Sequence, residues 1–240
     1  MTLFKTDSDL KIEFQLGTQL FSHLVSQPTL EHLKKIENNY PEILSTDFRG
    51  EFDSPDLSTK RNIFLWEMLV KEVSGYGLEQ DKDWKEKIPT MHKIMIAKEL
   101  CKVKSIDASD VLLHFGHDQV EQLSYEYVPI YTVADQAGNT LLQIHIFKQP
   151  SESDIYQYNR VTAYSHKFRK NKIKMKSKPQ TDFLNDGYDK LIYQVKGYSS
   201  TANPTTTTNE TLVPPLHKIV AIRALFNMLN EDLETQLGNS

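Results

Sequence analysis

A short series of landmarks recurs along this chain and constrains its fold more than any other feature. Gln27-Pro28-Thr29 returns as Gln149-Pro150-Ser151, and Gly75-Tyr76 returns as Gly197-Tyr198, each 122 positions later. Ile88-Pro89-Thr90-Met91-His92-Lys93 returns as Val213-Pro214-Pro215-Leu216-His217-Lys218, 125 positions later, so three residues are added in the loop before it. Three landmarks in one order predict a tandem duplication of a small module. The boundaries follow as a first module over 1–105, a connector over 106–122 and a second module over 123–240. A duplicated small module points to a scaffold or assembly part more than to a single catalytic centre.

The chain of 240 residues has room for two such modules at the usual domain size. Hydrophobic residues make up 39% and charged residues 25%, the balance of a folded soluble protein. A net charge of −4 gives no global signal for nucleic acid or membrane. Cys101 is the single cysteine, which excludes an internal disulfide and argues against a cysteine-rich metal site; it is expected to pack on a helix. Met1 to Asp7 has no long apolar run, and no stretch approaches the roughly 20 apolar residues of a bilayer span. The expectation is a protein that stays in the cytoplasm where it is made.

Each module is predicted to open with a β-hairpin. Lys11 to Phe14, a turn at Gly17 and Leu20 to Val25 form the first. Tyr125 to Val133, a turn over Asp135 to Asn139 and Leu142 to Phe147 form the second. Pro28 and Pro150 stop the strands, and Thr29 and Ser151 then cap a helix. Leu30, Leu33 and Ile36 carry the apolar face of the first such helix; Ile155, Tyr158 and Val161 carry the second. A further helix is predicted over Ile63 to Val73, its counterpart carrying Tyr188, Leu191, Ile192 and Val195, with Gly75 and Gly197 as left-handed C-caps. A last helix begins at Pro89 or Pro214. Its apolar side is Met91, Ile94, Met95, Ala97 and Leu100 in one copy, and Leu216, Ile219, Val220, Ile222, Leu225 and Phe226 in the other. The fold class is therefore α+β: a β-hairpin followed by about three helices, twice over.

Four histidines match between the copies. His92 and His217 lie about one turn into the last helix, opposite or flanking its core stripe, and His23 and His145 lie on the second hairpin strands. Two imidazoles per module would form a metal site if strand met helix start, but no carboxylate or cysteine completes the set at fixed spacing. The plainer reading is that His92 and His217 fix the helix start by hydrogen bonding. His114-Phe115-Gly116-His117-Asp118 lacks the H-E-x-x-H spacing and reads as a connector turn, with a short helix near Asp110. No phosphate-cradling or nucleophile-elbow motif occurs, so no catalytic residue, cofactor or metal is assigned and the chain is not expected to be an enzyme.

The charged residues are more telling. Lys167, Arg169, Lys170, Lys172, Lys174, Lys176 and Lys178 put seven cations in twelve residues. The equivalent positions of the first module, 45–56, hold Asp47, Glu51, Asp53 and Asp56. The basic run suits a solvated edge strand, a protein partner or a nucleic-acid backbone, though Phe168 alone interleaves as an aromatic. With the two loops at opposite ends of the molecule, an acidic loop would meet a basic loop head to tail, between chains or on a repeated partner.

Three segments carry a resemblance: the strand ending Phe147-Lys148-Gln149-Pro150-Ser151-Glu152-Ser153-Asp154, the Gly-Tyr after an apolar helix, and Pro-x-x-His-Lys opening a final helix. Together they resemble small phage and prophage proteins that accompany tail and neck genes. The resemblance implies a tail or neck component or tail-assembly factor, present in the cytoplasm of a bacterial host or incorporated into a virion. Its partners would be other virion proteins or further copies of itself, with no membrane. The alternative is a nucleic-acid-binding accessory protein using residues 167–178.

Overall fold

The structure, a computed structural model, describes residues 4–40, 43–47, 52–53, 58–78, 81–105, 127–133, 140–163, 165–169, 172–176, 179–200 and 213–238. A two-residue strand β1 (Phe4–Lys5) leads into a hairpin of β2 (Leu10–Leu16) and β3 (Gln19–Val25). In β2 the residues Leu10, Ile12, Phe14 and Leu16 alternate with Lys11, Glu13 and Gln15, the two-residue period of a strand with one face on a core. Gly17 turns the hairpin at φ 60°. Helix α1 (Leu30–Asn39) follows, closed by a capping box: the His32 N–H donates to Thr29 Oγ1 and the Thr29 N–H to the His32 ring.

The short strands β4 (Ile43–Asp47) and β5 (Phe52–Asp53) precede helix α2 (Ser58–Leu69). The helix predicted to run to Val73 stops at Leu69. Residues 70–74 form β6 (Val70–Ser74), which pairs antiparallel with β3. Val70 and Val73 are β-branched, and β3 offers an unpaired edge, so the tertiary partner overrides the helical spacing. Gly75 is consequently no helix cap: it ends a strand, at φ 89°, with Gly197 at φ 92°. A Cβ at Gly75 would lie 2.2 Å from the Leu20 carbonyl oxygen, so strand β3 approaches too closely for any side chain there. After a short turn α3 (Trp84–Lys87), helix α4 (Thr90–Leu100) packs across α2.

The second half presents a similar order of elements; among the described residues it has a strand over Tyr198–Ser199 that the first half lacks and no counterpart of α3. Strand β7 (Val103–Ser105) crosses over to pair with β8 (Tyr127–Val133), which pairs with β9 (Thr140–Phe147). Then come α5 (Glu152–Thr162), β10 (Ser165–Arg169), β11 (Lys172–Lys176), α6 (Thr181–Leu191), β12 (Ile192–Lys196), β13 (Tyr198–Ser199) and α7 (Pro215–Gly238). Strand β12 lies against β9 as β6 lies against β3, and α5 has the same capping box, built from Ser151 and Asp154. Here too the predicted helix ends early, at Leu191, and Ile192 and Val195 belong to the strand. The predicted turn over 135–139 and the connector over 106–122 lie outside the described residues.

Two clusters of buried side chains form, one per half. The first joins Val25, Leu65, Trp66, Leu69, Val70, Ile88, Ile96, Ala97 and Leu100. The second is built on Phe147, Tyr188, Leu191, Val195, Tyr198, Ile222, Leu225 and Phe226. The stripe of α4 differs from its prediction: Met91 and Met95 are 64% and 42% exposed, while Lys93, Ile94, Ile96, Ala97 and Leu100 are buried. In α7, Ile219, Ile222, Leu225 and Phe226 are buried as expected.

The halves also touch. β1 pairs in parallel with β13, placing Phe4 in the second cluster, and Leu33 of α1 packs against it. Helix α6 has no side-chain cap of its own. The Glu37 carboxylate on α1 accepts from the Gln180 and Thr181 N–H groups at 2.6 and 3.1 Å, meeting orphan donors at the positive end of that helix. Lys34 adds an ion pair to Asp182 at 2.7 Å. Among the described residues, no helix is long and apolar enough to cross a membrane.

Candidate functional site

The matched histidines do meet, through a residue that the histidine pattern alone did not single out. In the first half His23 is fully buried on β3. Trp66 Nε1–H donates to His23 Nδ1 at 3.1 Å. An indole nitrogen only donates, so Nδ1 is an acceptor and the proton of neutral His23 sits on Nε2. That Nε2–H points to the Tyr76 hydroxyl at 2.8 Å, leaving the hydroxyl to donate to His92 Nδ1 at 2.9 Å. The chain of donors thus runs from α2 through β3 to the start of α4. Phe14 and Phe21 pack against the His92 ring at centroid distances of 4.8 and 5.3 Å.

In the second half the same positions repeat the arrangement with one substitution. The Tyr188 hydroxyl lies 2.7 Å from His145 Nδ1, where the first half has the Trp66 indole, and both pairs span 43 residues. His145 Nε2 lies 2.9 Å from the Tyr198 hydroxyl, which lies 2.9 Å from His217 Nδ1. A lysine flanks each network. Lys93 sits 4.9 Å over the Trp66 ring and 3.4 Å from Glu67; Lys218 sits 5.5 Å over the Tyr188 ring and 2.6 Å from Asp189.

Burial keeps these groups uncharged. Desolvation, and then the nearby His92, lowers His23 to about 4, and burial lowers His217 to about 3. His145 is pushed well below its ordinary value by burial and by His217. His92, only partly buried, is lowered by burial. Burial raises Tyr76 to about 12 and Tyr198 well above its ordinary value. A protonated His23 would also aim an Nδ1–H at the Trp66 N–H. The network is a clamp of neutral hydrogen bonds that ties strand β3 or β9 to the last helix. The hydrogen bonds expected of His92 and His217 at the helix start are made to a tyrosine hydroxyl, and His217 faces the core, not away from it. Among the described residues, no group of three or more His, Cys, Asp or Glu side chains is placed to hold a metal ion. Tyr76 and Tyr198 were legible in the sequence as half of the Gly-Tyr landmark.

The charged segments take an arrangement that the sequence reading did not foresee. They do not face opposite ends of the molecule. They are neighbours in one four-stranded sheet of order β10-β11-β4-β5, in which β11 of the second half pairs antiparallel with β4 of the first. Lys172 lies opposite Asp47, Lys174 opposite Ser45 and Lys176 opposite Ile43. The strand period puts Lys167, Arg169, Lys172, Lys174 and Lys176 on one face with Asp47 and Asp53. The other face receives Phe168, Ile173, Met175, Leu44 and Phe52. The acid and base segments thus meet within a single chain because the backbone of β4 had an edge to offer β11. Of the charged residues singled out, Glu51, Asp56, Lys170 and Lys178 lie outside the described residues, as do His114 and His117. Cys101 is exposed at the C-cap of α4, not packed along a helix.

No protein-family model matches the chain, and no curated protein or solved structure matches it either.

Proposed function

We propose that the chain is a tandem duplication of one α+β module and that it works without catalysis, as a phage-type structural or assembly protein acting through protein–protein contacts. The observation that carries this reading is the β11–β4 pairing. Two like hairpins are joined edge to edge, which is how modules of this kind would also be joined to a partner. The recurring order of elements and the repeated imidazole–phenol–imidazole clamp support the duplication. The clamps support a structural role for the histidines, since each matched ring is held by a hydrogen bond to a tyrosine. The resemblance to tail- and neck-associated proteins supplies the setting: a component or assembly factor for a particle, in the host cytoplasm or in the virion.

The test is deletion of the gene in the phage or prophage that carries it, with particles examined by electron microscopy and their proteins by mass spectrometry. Missing or misbuilt tails, restored by the gene in trans, is the expected result. Normal, infectious particles would overturn the reading.

A second reading, nucleic-acid binding, draws on one observation: five cations share a face of the four-stranded sheet. Asp47 and Asp53 on that face weigh against it. DNA affinity falling steeply with salt, and lost in Lys172→Glu with Lys174→Glu, would favour this second reading over the first.

A further inference from the structure

We propose that copies of this chain associate head to tail, with β5 of one copy pairing antiparallel with β10 of the next, so that the four-stranded sheet continues from copy to copy. The proposal deepens the assembly reading and rests on it for its biological use; the pairing itself is a property of the purified chain.

The argument begins with the sheet order β10-β11-β4-β5. β4 and β10 hold the same place in their respective halves, as do β5 and β11. The joint between the halves is therefore unlike to unlike: the second strand of one hairpin meets the first strand of the other. Among the described residues, the sheet ends at β10 and β5. Those ends are the unused counterparts of the two strands already joined. A contact of this heterologous kind does not use itself up: each copy offers the same two ends again, giving a ring or an open filament.

The register can be transferred residue by residue. Within the hairpins, Lys167 lies opposite Lys174 and Phe168 opposite Ile173, while Ser45 lies opposite Asp53 and Thr46 opposite Phe52. Asp53 thus holds the place of Lys174, and Phe52 that of Ile173. At the observed joint Lys174 lies opposite Ser45 and Ile173 opposite Thr46. At the proposed joint Asp53 of one copy faces Lys167 of the next, and Phe52 faces Phe168. An opposite-charge pair beside an aromatic pair is the favourable content of a cross-strand contact.

Charge inside the chain argues for the same occupant. Lys167 opposite Lys174 and Arg169 opposite Lys172 are like-charge pairs, which disfavour the β10–β11 hairpin. Lys172 has an acidic register partner on its far side, Asp47. Among the described residues the register gives β10 no acidic partner, and Asp53 of a second copy would supply one. Helix α5 agrees with this geometry: Tyr156, 67% exposed, holds the place that Lys34 holds on α1, where it reaches α6 of the other half.

The experiment is light scattering on a sizing column with the nuclease-treated full chain, over a range of concentration and salt. Oligomers that grow with concentration and dissociate in high salt are expected. Asp53→Lys or Lys167→Asp alone should weaken association about tenfold or more, since each sets like charges across the joint. Mixing the two variants should restore it, because opposite charges then meet at every joint between alternating copies. Thermal melts identify a reversal that fails to fold, and the milder Asp53→Asn and Lys167→Gln, expected to fall between, then carry the test. A monomer under every condition, oligomers indifferent to these changes, a mixture that fails to associate, or oligomers that vanish with nuclease would each overturn the pairing. A monomer would leave the assembly reading to other partners; normal particles after gene deletion would sink that reading and leave the pairing intact.

Discussion

The two halves close the same hydrogen-bonded clamp with different degrees of burial. In the first, His23 and Trp66 are fully buried, but the chain of donors ends on His92, which is only partly so. In the second, His145, Tyr188, Tyr198 and His217 are all at or below 4% exposure. The group at the far end changes from an indole, which can only donate, to a phenol, which can donate or accept, and the position of Phe21 is held by Gln143. The comparison teaches that the halves share the histidine–tyrosine–histidine core of the clamp and vary the group at its far end. Either group hydrogen-bonds the strand histidine and closes the clamp, and the depth of burial sets what breaking it costs.

Acid gives the largest effect with which to sharpen that comparison. A histidine held neutral on folding takes up a proton when the chain unfolds, so the unfolded state binds more protons at any pH between the folded value and about 6.5. Stability is therefore highest above about pH 6.5 and falls as pH drops. His23 contributes this loss down to about 4 and His217 down to about 3, each on the order of 3–5 kcal/mol in full. Denaturant midpoints across this range should fall, and the second half should go on losing stability below pH 4, where the loss from His23 has levelled off. A flat profile would mean that the imidazoles are accessible to protons in the folded chain.

Breaking the clamp at its centre comes next. Tyr198→Phe leaves two buried ring nitrogens without their hydroxyl and is expected to cost about 2–4 kcal/mol. Tyr76→Phe is expected to cost about 1–2 kcal/mol, because water can reach His92. Equal losses in urea unfolding would show that burial does not set the difference.

The exchange of indole for phenol can be tested directly. Trp66→Tyr supplies the phenol that the second half uses, whereas Trp66→Phe leaves His23 Nδ1 unpaired. The phenylalanine variant should be less stable than the tyrosine variant by about 1–2 kcal/mol, since both lose similar volume and one loses the bond.

The smallest effect concerns Gln143. It is fully buried, and neither its amide nitrogen nor its amide oxygen has a hydrogen-bond partner among the described residues. Gln143→Leu, which makes the position apolar as Phe21 is, should raise stability by about 1 kcal/mol. A loss in thermal unfolding would instead mark Gln143 as hydrogen-bonded in solution.

Much of the local structure was legible in the chain. The alternation in Leu10 to Leu16, the caps at Thr29 and Ser151 and the prolines before α4 and α7 are short-range signals, and they place hairpins and helix starts correctly. The repeated landmarks also pointed at the clamp, since Tyr76, His92, Tyr198 and His217 all lie inside them. What the sequence could not give was the bond between them, because His23 and Tyr76 are 53 residues apart and only folding brings them to 2.8 Å. The helices ending at Leu69 and Leu191 were misread for a related reason: helical spacing continues into β6 and β12, but β3 and β9 offered a ladder of backbone bonds that outweighed it. The charged segments show the same division most clearly. Their composition and opposite sign belong to the sequence alone. That they became neighbouring strands of one sheet was a choice of tertiary structure, because an unpaired strand edge takes whichever backbone the rest of the fold brings alongside it.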